Sequence, residues 1–573
     1  MNRPNDDGLN QPTAPESSAA KDVSVGKRGL TFKLAALGLT LVSALGGTGL
    51  AYWLKAPETP NDKTQTSTAG KDIPARLFQG WGKPDFVVVL TAQEHGYMMP
   101  CGCSYPQVGG LERRYNFMQM LKARGWNVVA VDLGDLPQKS GPAKLPNVQG
   151  WLKYRYSMMA LKEMGYMAVG IGEYEGALSL GRIDDEWSAN FPQPPVIVGN
   201  LKDADSKYPF FKTAEIQTVP KTGIKIGVTS IVGQSVSETI KDPSVAFLPS
   251  ADSIREQLKK MQAEKVELPI LLYHGYATGR KEALACAKAF PQFPIVMCLS
   301  EEDEPPGHPD EVKQDNGNRN YVFRLGHKGK YIGVLGVYRN GESFSFKYQL
   351  VEMSVDYDTP KDQKDHHPIM KMIEDYRVEL KQKDILKDYG QSKHILQAMD
   401  PVPDLRNPDD GTPKYIGTQA CGKCHEAALA VWEASKHSHA YQTLVEEKHP
   451  SLSQFDGECI VCHTVGFGYK TGFTNDKDTP KLRNVGCESC HGPGSLHAKN
   501  PENQEWRDRM NRPWLEARKK GDNLAKNRAI ENFCISCHDI DNDVTWIHGA
   551  NNKKDPFVEK WIKGKVIHNA PKE

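Results

Sequence analysis

Near the C-terminal end of the chain, eight of its 12 cysteines fall into one repeated pattern. It reads Cys421-x-x-Cys424-His425, Cys459-x-x-Cys462-His463, Cys487-x-x-Cys490-His491 and Cys534-x-x-Cys537-His538. Two thiols one helical turn apart can add to the two vinyl groups on one edge of a porphyrin, and the adjoining histidine then presents its imidazole to the iron. Zinc sites and redox disulfides also use C-x-x-C. Neither requires a histidine directly after every second cysteine, and chance supplies only roughly 0.01 such pentapeptides in a chain of this Cys and His content. The pattern predicts four covalently bound c-type haems with His425, His463, His491 and His538 as proximal ligands.

The stretches between these motifs carry a resemblance. YIGTQACGKCHEAALAVWEASKHSHAYQTL at 415–444, CIVCHTVGFGYKTGFT at 459–474 and NVGCESCHGPGSLH at 484–497 are similar in order and spacing to the tetrahaem cytochrome c-554 family. The resemblance spans roughly 413–570. It implies a mainly helical module in which three irons carry two axial histidines and the iron of the second haem carries one. Carried over by residue, His437 is the distal ligand of the fourth haem, His497 that of the first and His568 that of the third. His548 is an alternative to His568. The haem on His463 is left without a distal partner, unless His439 or His449 supplies one; both read first as solvated residues.

A second group of reactive types lies far upstream. Cys101-Gly102-Cys103 follows an apolar run closely, with His95 six residues before it. Cysteines one residue apart pair poorly with each other, so these thiols suit a soft metal, redox chemistry or simply an exposed loop. Cys286 and Cys298 read as core thiols, or as a disulfide if they meet. VVVLTAQEHGYMMPCGC, then VVAVDLGD, LLYHG and GHKGKYIGVLGV resemble, in that order, the metallophosphoesterase domain of the 5′-nucleotidase superfamily. The resemblance implies an α/β sandwich that binds two metals and activates water for attack on a phosphate. The expected ligand blocks are depleted. Gln93-Glu94-His95 stands for Asp-x-His, Glu173 and Tyr174 replace an Asn-His pair, and CLSEED at 298–303 replaces a closing GHTH. His95, Asp135 and His274 remain, too few for a bridged two-metal centre. The domain therefore reads as a pseudo-phosphoesterase in which an additional metal is at most a secondary possibility.

The elements that position these groups follow from hydrophobic period. FVVVL at 86–90, VVAVDLGD at 128–135, MAVGIG at 167–172, PVIVGN at 195–200, KIGVTSI at 225–231 and LPILLYHG at 268–275 read as buried strands. Helical patterns at 111–125 and 251–264 lie between them, which predicts helices on both sides of mixed sheets. PIVMCL, NYVFRL, YIGVLGVYR and FSFKYQLVEM follow as antiparallel strands. Residues 354–412 form a charged helical linker ahead of a haem domain at 413–573, and 85–353 form the α/β domain.

Residues 34–54 are apolar and uncharged, long enough for one transmembrane helix. Lys27, Arg28 and Lys33 precede them, placing 1–33 in the cytoplasm and the bulk of the chain, after a polar tether at 55–84, in the periplasm of a bacterial inner-membrane protein. A cleaved signal peptide is the rival reading, and both export the chain to where c-type haem is attached. With 72 basic and 71 acidic residues the net charge is +1, which gives no electrostatic footprint for nucleic acid. Three functions stay open: electron transfer among periplasmic redox partners, reduction of a small nitrogen oxide at an open second haem, and phosphoester hydrolysis with a redox appendage.

Overall fold

The computed structural model describes residues 72–101, 105–203, 207–275, 279–399, 411–539 and 541–544. The apolar run at 34–54 lies outside them. Among the described residues no helix is long and apolar enough to cross a membrane.

Eleven strands make two sheets. They are β1 (Phe86–Thr91), β2 (Val128–Asp132), β3 (Tyr166–Val169), β4 (Ala214–Thr218), β5 (Lys225–Val232), β6 (Leu268–His274), β7 (Ile295–Leu299), β8 (Asp310–Lys313), β9 (Arg319–Leu325), β10 (Tyr331–Asn340) and β11 (Ser343–Glu352). The first sheet runs β11-β10-β1-β2-β3 and the second β4-β5-β6-β7-β9-β8. PIVMCL and NYVFRL depart from the antiparallel expectation, because β7 pairs in parallel with both β6 and β9. The helix Gly279–Ala289 before β7 supplies the crossover that a parallel connection requires. PVIVGN forms only isolated bridges to Val169 and Lys212.

Three apolar layers result. Val88, Leu90, Val131, Ile226, Ile270 and Met297 interlock between the sheets. The helices Leu111–Ala123 and Gly150–Met164 cover the outer face of the first sheet, and Ser250–Ala263 with Gly279–Ala289 cover that of the second. Strands buried on both faces need continuous apolar runs, which is why FVVVL and LPILL carry no polar alternation. Cys286 and Cys298 sit in this last layer as separate thiols, each pushed up to about 12 by burial.

The charged linker is more deeply packed than its composition suggests. Its helix Pro368–Gln382 buries Ile369, Met370, Ile373, Tyr376 and Leu380 in the core of the first sheet's outer layer. A buried polar cluster then ties this helix to the second haem motif. Gln149 Nε2 donates to Tyr376 Oη (2.6 Å) and to Asp456 Oδ1 (2.9 Å), while Tyr389 Oη and the Gly457 N–H donate to Gln149 Oε1 (2.7 and 2.9 Å). Every polar atom of the Gln149 amide is thereby used, which is the condition for burying it.

Beyond the linker the chain forms short helices around Tyr415, Tyr441, Ile460, Phe467, Phe473 and Leu482.

Candidate functional site

Each C-x-x-C-H sequence folds as one helical turn. The His425 and His538 N–H groups donate to the carbonyls of Cys421 and Cys534 at 3.1 and 2.9 Å, bringing the two thiols and the imidazole of a motif together. Asp456 caps the helix Gly457–His463 by accepting from the Glu458 N–H at 3.0 Å. In Cys487–His491 the buried Glu488 carboxylate accepts three N–H groups, from Ile416 (3.0 Å), Gly417 (2.7 Å) and Gly494 (2.8 Å). This staples the third motif to the approach to the first. Thiols of different motifs also meet: Cys421 contacts Cys487, and Cys537 contacts Cys462.

The imidazoles are held in a defined way. Nδ1 of His463 donates to the Ala440 carbonyl at 2.5 Å, and Nδ1 of His491 to that of Met510 at 3.1 Å. Nδ1 of His538 lies 3.0 Å from a carboxylate oxygen of Asp543. A ring that donates through Nδ1 keeps its Nε2 lone pair for a metal, and the partner fixes its orientation. Burial lowers the pKa of His437, His463 and His497, favouring the neutral, ligating form.

Two distant histidines come opposite two motif histidines. The ring of His497 faces that of His425, and the ring of His437 faces that of His538, both with centroids 6.2 Å apart. An imidazole nitrogen lies roughly 1.1 Å from its ring centroid and a metal–imidazole bond is about 2.0 Å long, so one metal ion between two rings sets their centroids about 6.2 Å apart. The residues therefore fit bis-histidine irons at these two motifs. Trp432 Nε1 donates to the Val485 carbonyl (2.7 Å) and the Val485 N–H to the His437 carbonyl (3.1 Å), which places His437. Among the described residues no ring contact sets a second imidazole against His463. His548 and His568 lie outside the described residues. His439 is exposed, and His449 lies 3.4 Å from Asp365.

The residual positions of the α/β module gather where parallel strands end, the edge at which α/β folds bind ligands. Gln93, Glu94 and His95 follow β1, Asp135 follows β2, Glu173 to Glu175 follow β3, and His274 ends β6. Gln93, His95 and Asp135 have φ of 55°, 53° and 58°, a concentration of left-handed backbone that functional loops commonly store.

The donors nevertheless turn toward one another. Gln93, at the Asp position, donates its amide to the Ser300 and Leu325 carbonyls (both 3.1 Å). Glu94 pairs with Arg114, both fully buried. Asp135 Oδ2 lies 3.0 Å from His274 Nε2. Burial alone would raise the Asp135 pKa and lower that of His274, but their mutual attraction reverses both shifts. The backbone of Gly172 packs so close that a Cβ there would lie 2.1 Å from His274 Nε2 and 2.3 Å from Asp135 Oδ1. Tyr174 stacks on His95 at 4.5 Å. Among the described residues no three His, Cys, Asp or Glu side chains are arranged to hold a metal ion. Gln93 and Glu94 are thus committed elsewhere, while His95 Nε2 and, apart from its ion pair with His274, Asp135 Oδ2 are buried without a hydrogen-bond partner.

Three groups escaped the sequence reading. His327, in the GHKGK block, brings its ring to 6.0 Å from His95. Lys328 and Lys330 beside it pair with Asp541, from the loop after the last haem motif. Burial would raise the Asp541 pKa, but the two lysines lower it overall. Cys101 lies 3.8 Å from the Asn542 carbonyl of the same loop, and Cys103 lies outside the described residues. Only the alternating charges of GHKGK and HDIDND hinted at this contact.

Comparison with known proteins divides the chain in the same way. Residues 420–492 match the family of cytochrome c554 and c-prime. Cytochrome c-554 of Nitrosomonas europaea is 31% identical over 159 residues, covering 25% of this chain and 65% of that protein. An apyrase of Tabanus yao is 22% identical over 281 residues, 44% of this chain and 47% of the apyrase. The chain thus spans less than two thirds of either curated relative. Similar solved structures include the 5′-nucleotidase precursor of Thermus thermophilus, with TM-score 0.43 and 18% identity over 52% of this chain and 59% of that one. The calcineurin-like phosphoesterase YfkN of Bacillus subtilis is another, with TM-score 0.39 and 17% identity over 51% and 97%. The cytochrome match supports a c-type cytochrome with covalently bound haems in the C-terminal part.

Proposed function

We propose that this chain is a tetrahaem electron-transfer cytochrome, anchored in a bacterial inner membrane by residues 34–54 with its bulk in the periplasm, and serving periplasmic redox partners. The observation that carries the reading is the pair of facing imidazoles at 6.2 Å, His425 with His497 and His437 with His538. Bound haem supplies one-electron redox chemistry tuned by its axial ligands and burial. The protein's own part is positional. The C-x-x-C-H turns hold thiols and imidazoles, the Nδ1 partners of His463, His491 and His538 fix their rings, and His437 and His497 close the two facing pairs.

In this reading the α/β module is a phosphoesterase-like scaffold, and it braces the second haem motif through the contact of Gln149 with Asp456. A second reading rests on His463. It has a fixed Nδ1 partner and, among the described residues, no facing imidazole, so its iron is the one available to bind and reduce a small nitrogen oxide.

The test is spectroscopic. A pyridine haemochrome assay on the full chain should give four haems per polypeptide, and a lower count would end the tetrahaem reading. Low-spin bands with no response to carbon monoxide support pure electron transfer. A carbon-monoxide-sensitive high-spin fraction of about a quarter moves the second reading ahead.

A further inference from the structure

The loop after the last motif touches two sites at once. Asp543 is 8% exposed and its carboxylate lies 3.0 Å from Nδ1 of His538. Two residues earlier, Asp541 reaches into the α/β module, where its carboxylate pairs with Lys328 and lies 2.7 Å from Nζ of Lys330. The carbonyls of Asp541 and Asn542 accept from Gln107 Nε2 at 2.6 and 3.4 Å.

The lysines stand on the turn between β9 and β10, beside the His95–His327 pair. The Lys330 side chain is 8% exposed, and an ammonium so removed from water needs an anion. Asp303 lies 3.7 Å from it but is 59% exposed, so its charge is screened. The buried counter-charge is that of Asp541. One carboxylate meets two ammonium groups, a poorer charge match than a phosphate dianion, for which lysines serve as point-charge partners. A cavity adjoins the contact, and Tyr97, Gln107, Lys330 and the carboxylates Asp303, Glu304 and Asp541 are among the residues that line it.

We propose that Lys328 and Lys330 form a binding site for a phosphate-class oxyanion, that Asp541 holds this site in the anion's absence, and that its occupancy is linked to the redox state of the haem on His538. The linkage rests on the tetrahaem reading. Asp541 and Asp543 are two residues apart, so an anion that displaces the first from the lysines pulls the second away from His538. An imidazole that donates to a carboxylate is a stronger donor to its iron and stabilises the oxidised form. Losing that bond raises the potential. Coupling is reciprocal, so reduction of the same iron tightens anion binding by the same factor. No covalent step is involved.

The experiment uses the full haem-loaded chain at constant ionic strength set with chloride. Inorganic phosphate binding is measured calorimetrically on the oxidised and the dithionite-reduced protein, with glycerol phosphate in a parallel arm. Phosphate should bind about fivefold more tightly to the reduced form, a coupling of ordinary size. Tighter binding of glycerol phosphate than of phosphate assigns the site to an ester, and the reverse assigns it to the free ion. Asp541→Asn should bind phosphate more tightly, and in a potentiometric titration without phosphate it should show one haem shifted upward. Asp543→Asn should keep the binding and lose its redox dependence. Unchanged affinity in a Lys328→Gln, Lys330→Gln double variant overturns the site, and equal affinity in both redox states overturns the linkage. Failure of the tetrahaem reading shows separately, as fewer than four haems per chain in the haemochrome assay.

Discussion

In the helical module His425 faces His497 and His437 faces His538 at 6.2 Å; in the α/β cleft His95 faces His327 at 6.0 Å. The spacings agree, yet the surroundings give the rings different capacities. In the helical module Nδ1 of His463, His491 and His538 is occupied by a carbonyl or carboxylate, which leaves Nε2 for a metal. In the cleft Nε2 of His327 lies 3.3 Å from Asp303, Tyr174 lies on His95, and Asp135 is drawn to His274. Ring spacing alone does not separate the two regions. The cleft pair has no C-x-x-C thiols beside it to attach a haem, and its His95 Nε2 is buried without a hydrogen-bond partner.

The sharpest way to break the comparison is to remove one ring from each region. His497→Leu or His437→Leu should convert about a quarter of the haem to a high-spin, carbon-monoxide-responsive form, because one iron loses its second imidazole. His95→Leu should leave the optical spectrum untouched. A haem change in His95→Leu would erase the distinction.

Next in size is the buried pair in the cleft. Arg114→Met strands the Glu94 carboxylate in a fully buried site and should cost about 3–5 kcal/mol in denaturant unfolding of the α/β module. Adding Glu94→Leu should recover most of that loss. Equal instability of single and double variants would show that the pair is not the cause.

The cleft histidine also titrates. Burial lowers the His95 pKa from 6.5 to about 4. The folded state therefore refuses a proton that the unfolded chain binds below 6.5, and stability should fall as pH drops from about 6.5 to 4, by at most about 3 kcal/mol. Thermal unfolding across that range reads the slope, which should be shallower in His95→Leu. The smallest effect belongs to Trp432→Phe. Losing the bond to the Val485 carbonyl should cost about 1 kcal/mol while the haem spectrum stays as it was.

Much of this was legible in one dimension because the signals are local. A C-x-x-C-H turn is complete within five residues, so motif and chemistry coincide. The strands of the α/β module were legible as apolar runs, since burial on both faces removes polar alternation. Their pairing was less so: NYVFRL looks the same whether parallel or antiparallel, and in the fold it is parallel to β7 and antiparallel to β8. The linker was the hardest segment. Its helical spacing was legible, but its charges gave no sign that Ile369, Ile373, Tyr376 and Leu380 would form one buried face.

By itself, then, the sequence determined the four attachment turns, the apolar strands and the depletion of the phosphoesterase ligand blocks, since each is written within a few neighbouring residues. The resemblance had implied which histidines pair, but only the tertiary structure decided that Glu94 is neutralised by Arg114, and that Asp541 sits on Lys328 across 213 residues of chain and on Lys330 beside it. Such contacts are set by how helices and sheets pack, and no local spacing encodes them.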